Sequence, residues 1–157
     1  MQRITPFLWF NGQAKEARDF YVSVFKNSRV GTTTRYGDGG PGPTGTVMTA
    51  SFEVDGQEIV ALNGGPQFTF SPAISFVVNC DNQAEVDDYW QRLSAGGAPL
   101  VCGWLKDRLG VSWQIVPRVL VRMLADSDTQ RSARVMQAMM KMTKIEIPAP
   151  ERAWNGH

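Results

Sequence analysis

The chain has 157 residues, and its 16 lysines and arginines nearly balance its 15 aspartates and glutamates. This length suits one domain, residues 1–157, and the balanced charge predicts no binding to nucleic acid or to an anionic membrane. No apolar run is as long as a membrane span, and the first residues lack a signal-peptide pattern. Cys80 and Cys102 lie far apart without a CxxC motif, which favours free thiols and a cytoplasmic location.

The single histidine, His157, is the last residue of the sequence. A catalytic triad, an HExxH zinc helix and a histidine-rich zinc site all need an internal imidazole. The sequence therefore predicts none of these three kinds of site.

The first part of the chain combines several short strands with one helix. Residues 4–10 predict a strand, and apolar residues spaced three to four apart in 13–25 predict a helix capped by Asn11 or Gly12. The Gly- and Pro-rich segment 37–45 predicts a loop, either a lid over a binding site or only a long hairpin connection. The remaining predicted strands are 28–36, 46–54 and 57–63.

The same order of elements returns in the second part of the chain. Residues 73–79 predict a strand, and Asn82 with Glu85 has the spacing of a capping box for a helix that ends at Gly96-Gly97. Three short strands are predicted after this helix, within 98–104, 104–107 and 110–117. An internal repeat with a period of about 69 residues follows from the alignment of the two helices.

These elements predict an α+β fold of two βαβββ modules, about 3–63 and 73–117, with a helical extension at 118–157. In this extension, 118–127 and 129–142 have helical patterns, with Ser127 or Asp128 as the cap of the second helix. Its methionines are a candidate adaptable binding surface, although packing onto the domain or onto a dimer partner is the commoner role.

Several stretches resemble the PhnB-like branch, often labelled demethylubiquinone methyltransferase, of the glyoxalase and bleomycin-resistance (vicinal-oxygen-chelate) superfamily. They are "FYVSVF" in the first helix, "LNGGP" at 62–66, "CGW" at 102–104 and "DRLGVSWQIVPRVL" at 107–120. The resemblance implies that each module contributes half of a curved sheet around a ligand cleft. It also implies a homodimer.

The resemblance also locates the positions of metal ligands in the metal-dependent families of this superfamily. By position they correspond to Pro6, Ser75 and Gln114, where those families carry histidine, histidine and glutamate. Proline offers no donor atom, and a hydroxyl and a neutral amide are poor ligands for a divalent transition metal. We therefore expect no bound metal and no other cofactor.

Candidate site residues are the polar and aromatic side chains of these strands. Gln114 either hydrogen-bonds a ligand or bonds a neighbouring group and fixes the sheet. Asp107 is a candidate general base, although accepting hydrogen bonds from turn amides is its commoner role. Asn63 is a candidate at the cleft rim or an ordinary turn residue, and Cys102 is either a reactive thiol or a buried one. The aromatic candidates for the cleft wall are Trp9, Phe52 and Trp104.

Three functions fit these residues. The first is binding of a small organic molecule in a metal-free cleft, and the second is a metal-independent enzyme that uses Asp107, Gln114 or Tyr36 for proton transfer. In the third, the cleft is vestigial and the helical extension serves assembly. The labelled methyltransferase activity is less favoured, because neither Gly-rich stretch has the strand-to-helix context of an S-adenosylmethionine site.

Overall fold

The structure, a computed structural model, describes residues 2–157. It divides into two compact units, one ending at Phe70 and one running from Ser71 to His157. Each unit has a four-stranded sheet and a helix in βαβββ order, and the second unit adds three helices. The predicted α+β fold of two modules with a helical extension is confirmed, whereas their union in one domain stays a prediction.

The first unit contains one helix and four strands. The sheet order is β1-β4-β3-β2, in which β1 is parallel to β4 and the other neighbours are antiparallel. Parallel neighbours cannot be joined by a hairpin. The chain therefore passes through α1, β2 and β3 before β4 pairs with β1. The elements are β1 Phe7–Phe10, α1 Ala14–Val24, β2 Ser28–Arg35, β3 Val47–Val54 and β4 Gln57–Asn63.

Helix α1 covers one face of this sheet. Because strand side chains alternate, the residues of β3 that are buried against α1 are Ala50, Phe52 and Val54, as their period of two predicts. Phe52 is 2% exposed and stacks on Tyr21 of α1, with ring centroids 5.8 Å apart. The opposite face carries no helix of this unit.

The cap of α1 differs from the prediction. The helix begins after Gln13, and the Ala14 amide donates to the side-chain oxygen of Asn63 at 2.9 Å. Asn63 lies at the end of β4, so a residue distant in sequence satisfies a free amide at the start of the helix. The expected local cap, Asn11 or Gly12, is wrong.

The second unit repeats this arrangement. Its sheet order is β5-β8-β7-β6, with β5 parallel to β8. Asn82 caps α2 by accepting from the Glu85 amide at 2.9 Å, which confirms the predicted cap, and Glu85 in return accepts from the Asp81 amide. The elements are β5 Ser75–Cys80, α2 Gln83–Ser94, β6 Ala98–Pro99, β7 Trp104–Lys106 and β8 Ser112–Pro117.

The extension completes the second unit with three helices, α3 Arg118–Leu124, α4 Thr129–Met140 and α5 Pro148–Trp154. Their shared core consists of Leu120, Met123, Val135 and Ile145. Asp128 caps α4 by accepting from two backbone amides, so the second of the two expected caps is confirmed. No helix within residues 2–157 is both long and apolar enough to cross a membrane.

Gln83 at the start of α2 attaches the extension to the sheet unit. Its side-chain nitrogen donates to the Ile145 carbonyl at 3.0 Å, and its oxygen accepts from the Ile147 amide at 2.8 Å. Lys144, which lies between α4 and α5, forms an ion pair with Asp87 of α2 at 2.6 Å. The segment between α4 and α5 is therefore fixed to α2 through two hydrogen bonds from the Gln83 side chain to the backbone of this segment.

Replacing Asn63 with Ala removes the cap of α1, so we expect a loss of about 1 kcal/mol in the free energy of unfolding. Asn11→Ala is the control, because Asn11 is exposed and makes no hydrogen bond within residues 2–157. Urea denaturation of both variants measures the difference. Equal losses in the two variants would contradict the assignment of the cap.

Candidate functional site

Trp9 lies on the uncovered face of the first sheet, where the segment "LNGGP" fixes its indole. The indole nitrogen donates to the Gly65 carbonyl at 2.9 Å, and Gly64 lies directly against the ring with no room for a Cβ atom. Phe68 contacts the ring edge to face, with centroids 4.9 Å apart. These contacts hold the half-buried indole in one orientation and explain why glycine is required at position 64.

Other residues of the same face form a row across the four strands. The strand register places Leu62 beside Trp9, and Thr49 and Thr34 further along the row. The hydroxyls of Thr34 and Thr49 hydrogen-bond to each other at 2.5 Å. The face therefore changes from aromatic at the β1 edge to polar at the β2 edge.

Two of the predicted site residues of this unit have structural contacts instead. Phe52 belongs to the core beneath α1, on the other face of the sheet from Trp9. The side chain of Asn63 is engaged at both ends, because its nitrogen donates to the Val47 carbonyl at 3.1 Å while its oxygen caps α1. Neither side chain lies with Trp9 on the uncovered face.

Tyr36 also has a structural role. Its hydroxyl donates to the Asn63 carbonyl, and its ring lies against Gly42 of the loop. Backbone hydrogen bonds between Tyr36 and both Gly45 and Thr46 close the β2–β3 hairpin at 2.8 and 2.9 Å. In this structure, segment 37–45 is the hairpin connection, folded onto the Tyr36 ring.

Gln114 lies on the uncovered face of the second sheet. Along β8, Trp113 and Ile115 are buried on the side of α2, whereas Gln114 points to the opposite face and is half-buried. Its side-chain nitrogen donates to the Ser75 hydroxyl at 3.0 Å. Within residues 2–157 its amide oxygen has no hydrogen-bond donor, so this oxygen is available to a ligand.

The neighbours of Gln114 complete a second row. The register pairs Gln114 with Val77 of β5 on one side and with Trp104 of β7 on the other. Val77 is 48% exposed and Trp104 is half-buried. An apolar group, an amide and an aromatic ring therefore stand side by side on this face.

Asp107 is buried at the tight turn between β7 and β8. One carboxylate oxygen accepts from the Leu109 and Val111 amides at 2.8 and 3.1 Å, and the other accepts from the Trp113 indole at 2.9 Å. Gly110 completes the turn with a positive φ of 95°. The structure thus gives Asp107 the turn role that was the alternative to a general base.

The three residues that the resemblance places at metal-ligand positions, Pro6, Ser75 and Gln114, do not suit a divalent transition metal. The Pro6 carbonyl accepts from the Val60 amide, and Ser75 and Gln114 are hydrogen-bonded to each other. A proline, a hydroxyl and a neutral amide supply no imidazole, thiolate or carboxylate. Across residues 2–157, no three side chains of His, Cys, Asp or Glu group together as a metal site.

The two cysteines are free thiols in different surroundings. Cys80 is fully buried, and this burial raises the pKa of its thiol to about 12, which keeps it protonated. Cys102 is half-buried rather than fully buried, and its φ of 60° lies in the left-handed region. No internal histidine is present to activate either thiol.

Comparison with known proteins identifies the family. The family described as 3-demethylubiquinone-9 3-methyltransferase matches residues 2–116, well over half of the chain. The chain belongs to this family. A PhnB protein from Bacillus cereus that carries the same methyltransferase name is 40% identical, with a TM-score of 0.67, over 74% of this chain and 99% of that one.

A more distant structure shares the fold of this PhnB-like family. The protein PA1353 from Pseudomonas aeruginosa is 24% identical, with a TM-score of 0.62, over 74% of this chain and 98% of that one. No curated protein matches the chain. The expected membership of the PhnB-like branch is confirmed.

Replacing Asp107 with Ala leaves the amides of Leu109 and Val111 and the Trp113 indole without their acceptor. We expect a loss of about 3 kcal/mol in the free energy of unfolding, since each buried unsatisfied donor is costly. Asp81→Ala is the control, because its ion pair with Arg118 is exposed and contributes at most about 1 kcal/mol. Denaturation of both variants checks this, and an equally small loss in Asp107→Ala would contradict the turn role.

Proposed function

We propose that this PhnB-like protein binds a small, planar organic molecule on the uncovered face of its second sheet without a metal ion. The observation that carries the proposal is the environment of Gln114. Its amide oxygen is available while its nitrogen is held by Ser75, between an exposed valine and a half-buried tryptophan. Apolar walls with a few oriented polar groups are typical of small-molecule sites.

Trp9 gives the first sheet a comparable aromatic surface of its own. Its indole nitrogen is already bonded to Gly65, so only its ring surface remains for a ligand. A ring fixed by backbone contacts loses little conformational freedom on binding, which favours affinity. Stacking of a planar ligand is the interaction that such a surface offers.

The family name indicates which ligands to test first. It refers to demethylubiquinone, whose headgroup is a planar ring bearing oxygen substituents. Such a ring can stack on the Trp104 indole, which pairs with Gln114 in the same sheet, and donate a hydroxyl hydrogen to the oxygen of Gln114. The hydroquinone headgroup of ubiquinone, without its isoprenoid tail, is therefore the first probe.

Catalysis is the second candidate function. Of its three candidate residues for proton transfer, Asp107 and Tyr36 have structural hydrogen bonds. The hydrogen bonds of Asp107 hold its carboxylate in the turn, and the hydroxyl of Tyr36 is directed at a backbone carbonyl. Gln114 does not titrate and can only orient a substrate or polarise it. An enzyme built on this site would need a general acid or base from the ligand or from solvent.

Methyl transfer from S-adenosylmethionine has little support from the Gly-rich segments. Segment 37–45 connects the antiparallel strands β2 and β3, and Gly64-Gly65 follow β4 and pack against Trp9. A nucleotide-binding Gly-rich turn instead joins a strand to a helix of a parallel sheet. The methyltransferase activity in the family name is therefore not our proposal for this chain.

Homodimerisation and a cytoplasmic location complete the proposal. Sedimentation equilibrium of the full chain distinguishes a dimer from a monomer, and we expect a dimer. The free thiols of Cys80 and Cys102 accord with a reducing compartment.

Thermal unfolding with the hydroquinone probe and a panel of substituted phenols, with and without a chelator, tests binding. At a hundredfold its Kd, a ligand should stabilise the folded chain by about 2.7 kcal/mol. We expect Trp104→Ala and Gln114→Ala each to abolish most of this stabilisation. The chelator should have no effect, because the proposed site contains no metal.

Gln57→Ala is the matched control for Gln114→Ala, because Gln57 is an exposed glutamine at the start of β4. It should leave the ligand-induced stabilisation unchanged. Stabilisation that survives in both Trp104→Ala and Gln114→Ala would contradict the site, and its loss on adding chelator would contradict the metal-free mechanism. Turnover of a bound ligand would favour the enzyme over the binding protein.

A further inference from the structure

The helical extension lies beyond the part of the chain that matches the family. The family match ends at residue 116, and the Bacillus cereus protein is covered over 99% of its length by only 74% of this chain. The extension nevertheless has its own buried core and is attached to α2 through Gln83. A function of these helices would therefore be additional to that of the matched region.

A cavity of about 360 Å³ opens among the helices of the extension. This volume is within the range of small-molecule sites, roughly 300–1,000 Å³. None of the predicted site residues lines it. Its lining comes from α3, α5 and the residues that follow each of them, and consists of Val119, Arg122, Met123, Asp126, Glu151, Trp154 and Asn155.

Trp154 is a fixed wall of this cavity. Its indole nitrogen donates to the Asp126 carboxylate at 2.7 Å, and the guanidinium of Arg131 lies 4.2 Å from its ring centroid. Arg134 donates to the carbonyls of Ala153 and Trp154 at 2.8 and 3.3 Å, which holds the last turn of α5. A preformed wall lowers the conformational cost of binding a ligand.

The rim of the cavity carries two opposite charges that are not engaged. Arg122 and Glu151 are exposed, and neither side chain makes an ion pair or hydrogen bond within residues 2–157. They are also not within ion-pair distance of each other. Asp126 differs, because it accepts from the Trp154 indole and from the Asp128 amide. Those bonds hold the pKa of the Asp126 carboxyl below its usual value.

The apolar part of the cavity lies between these charges. Met123 is 7% exposed and belongs to the core of the extension, and Val119 packs against that core. Together with the Trp154 ring, these side chains suit an aromatic or aliphatic group. A ligand that fits the whole cavity therefore combines one apolar group with one negative and one positive charge.

We propose that this cavity is a second binding site, specific for small zwitterions with an apolar or aromatic group, of which free aromatic amino acids are the simplest. The apolar group contacts Met123 and Trp154. Arg122 binds the carboxylate, and Glu151 binds the ammonium group. The site is independent of the function proposed above, because it shares no residue with the uncovered sheet faces.

Isothermal titration of the full chain with L-phenylalanine tests the proposal. The probes for comparison are phenylpropionate, which lacks the ammonium group, and phenethylamine, which lacks the carboxylate. We expect L-phenylalanine to bind about tenfold more tightly than either, since each loses one charge-assisted contact. No binding of L-phenylalanine, or equal binding of all three, would overturn the proposal.

Arg122→Ala and Glu151→Ala are the variants, and both replace exposed side chains. Each should weaken L-phenylalanine binding about tenfold, whereas Arg152→Ala, an exposed arginine of α5 outside the cavity lining, should not. Arg122→Ala should leave phenethylamine binding unchanged, and Glu151→Ala should leave phenylpropionate binding unchanged. Equal effects of Arg122→Ala and Arg152→Ala on L-phenylalanine binding would overturn the site, provided that thermal unfolding shows all three variants folded.

Discussion

The buried carboxylate of Asp107 fixes the register of the β7–β8 hairpin, and the direction of Gln114 depends on that register. Asp107 binds both amides of the turn and the indole of Trp113 on the next strand. A shift of one residue along β8 would direct Gln114 toward α2 and Trp113 toward the uncovered face. The turn therefore determines which groups the second sheet presents. In the first sheet the corresponding constraint is the Gly64-Gly65 segment, against which the Trp9 indole is fixed.

Strands and helix caps that depend on nearby residues could be predicted from the sequence. Contacts between residues distant in the sequence could not. Alternation in 46–54 predicted a half-buried strand, because strand geometry has a period of two, but it did not show that Phe52 faces α1 rather than the cleft. Asn82 and Asp128 were recognisable as caps because each bonds amides within three residues. The cap from Asn63 to Ala14 spans 49 residues, and the bond from Trp9 to Gly65 spans 56, so neither had a local signal. The cavity at Trp154 was missed for the same reason, since it depends on how three helices pack.

The segments that resemble the PhnB-like family have structural roles in this chain. The segment "LNGGP" caps α1 and supports Trp9, and "DRLGVSW" forms the Asp107 turn. Ser75 and Gln114, by contrast, bond to each other on the uncovered face of the second sheet. Family membership thus accounts for the scaffold, while the chemistry depends on the side chains that the scaffold presents.

The side-chain amide of Gln114 is the most direct reporter of the central claim, that the uncovered face of the second sheet binds a small organic molecule without metal. In a titration followed by nitrogen-15 correlation spectroscopy, the hydroquinone headgroup should shift the Gln114 side-chain resonances, because its hydroxyl donates to the amide oxygen. The resonances of Gln57, an exposed glutamine of β4, should stay in place. A ligand that binds and leaves the Gln114 resonances unchanged would contradict the account.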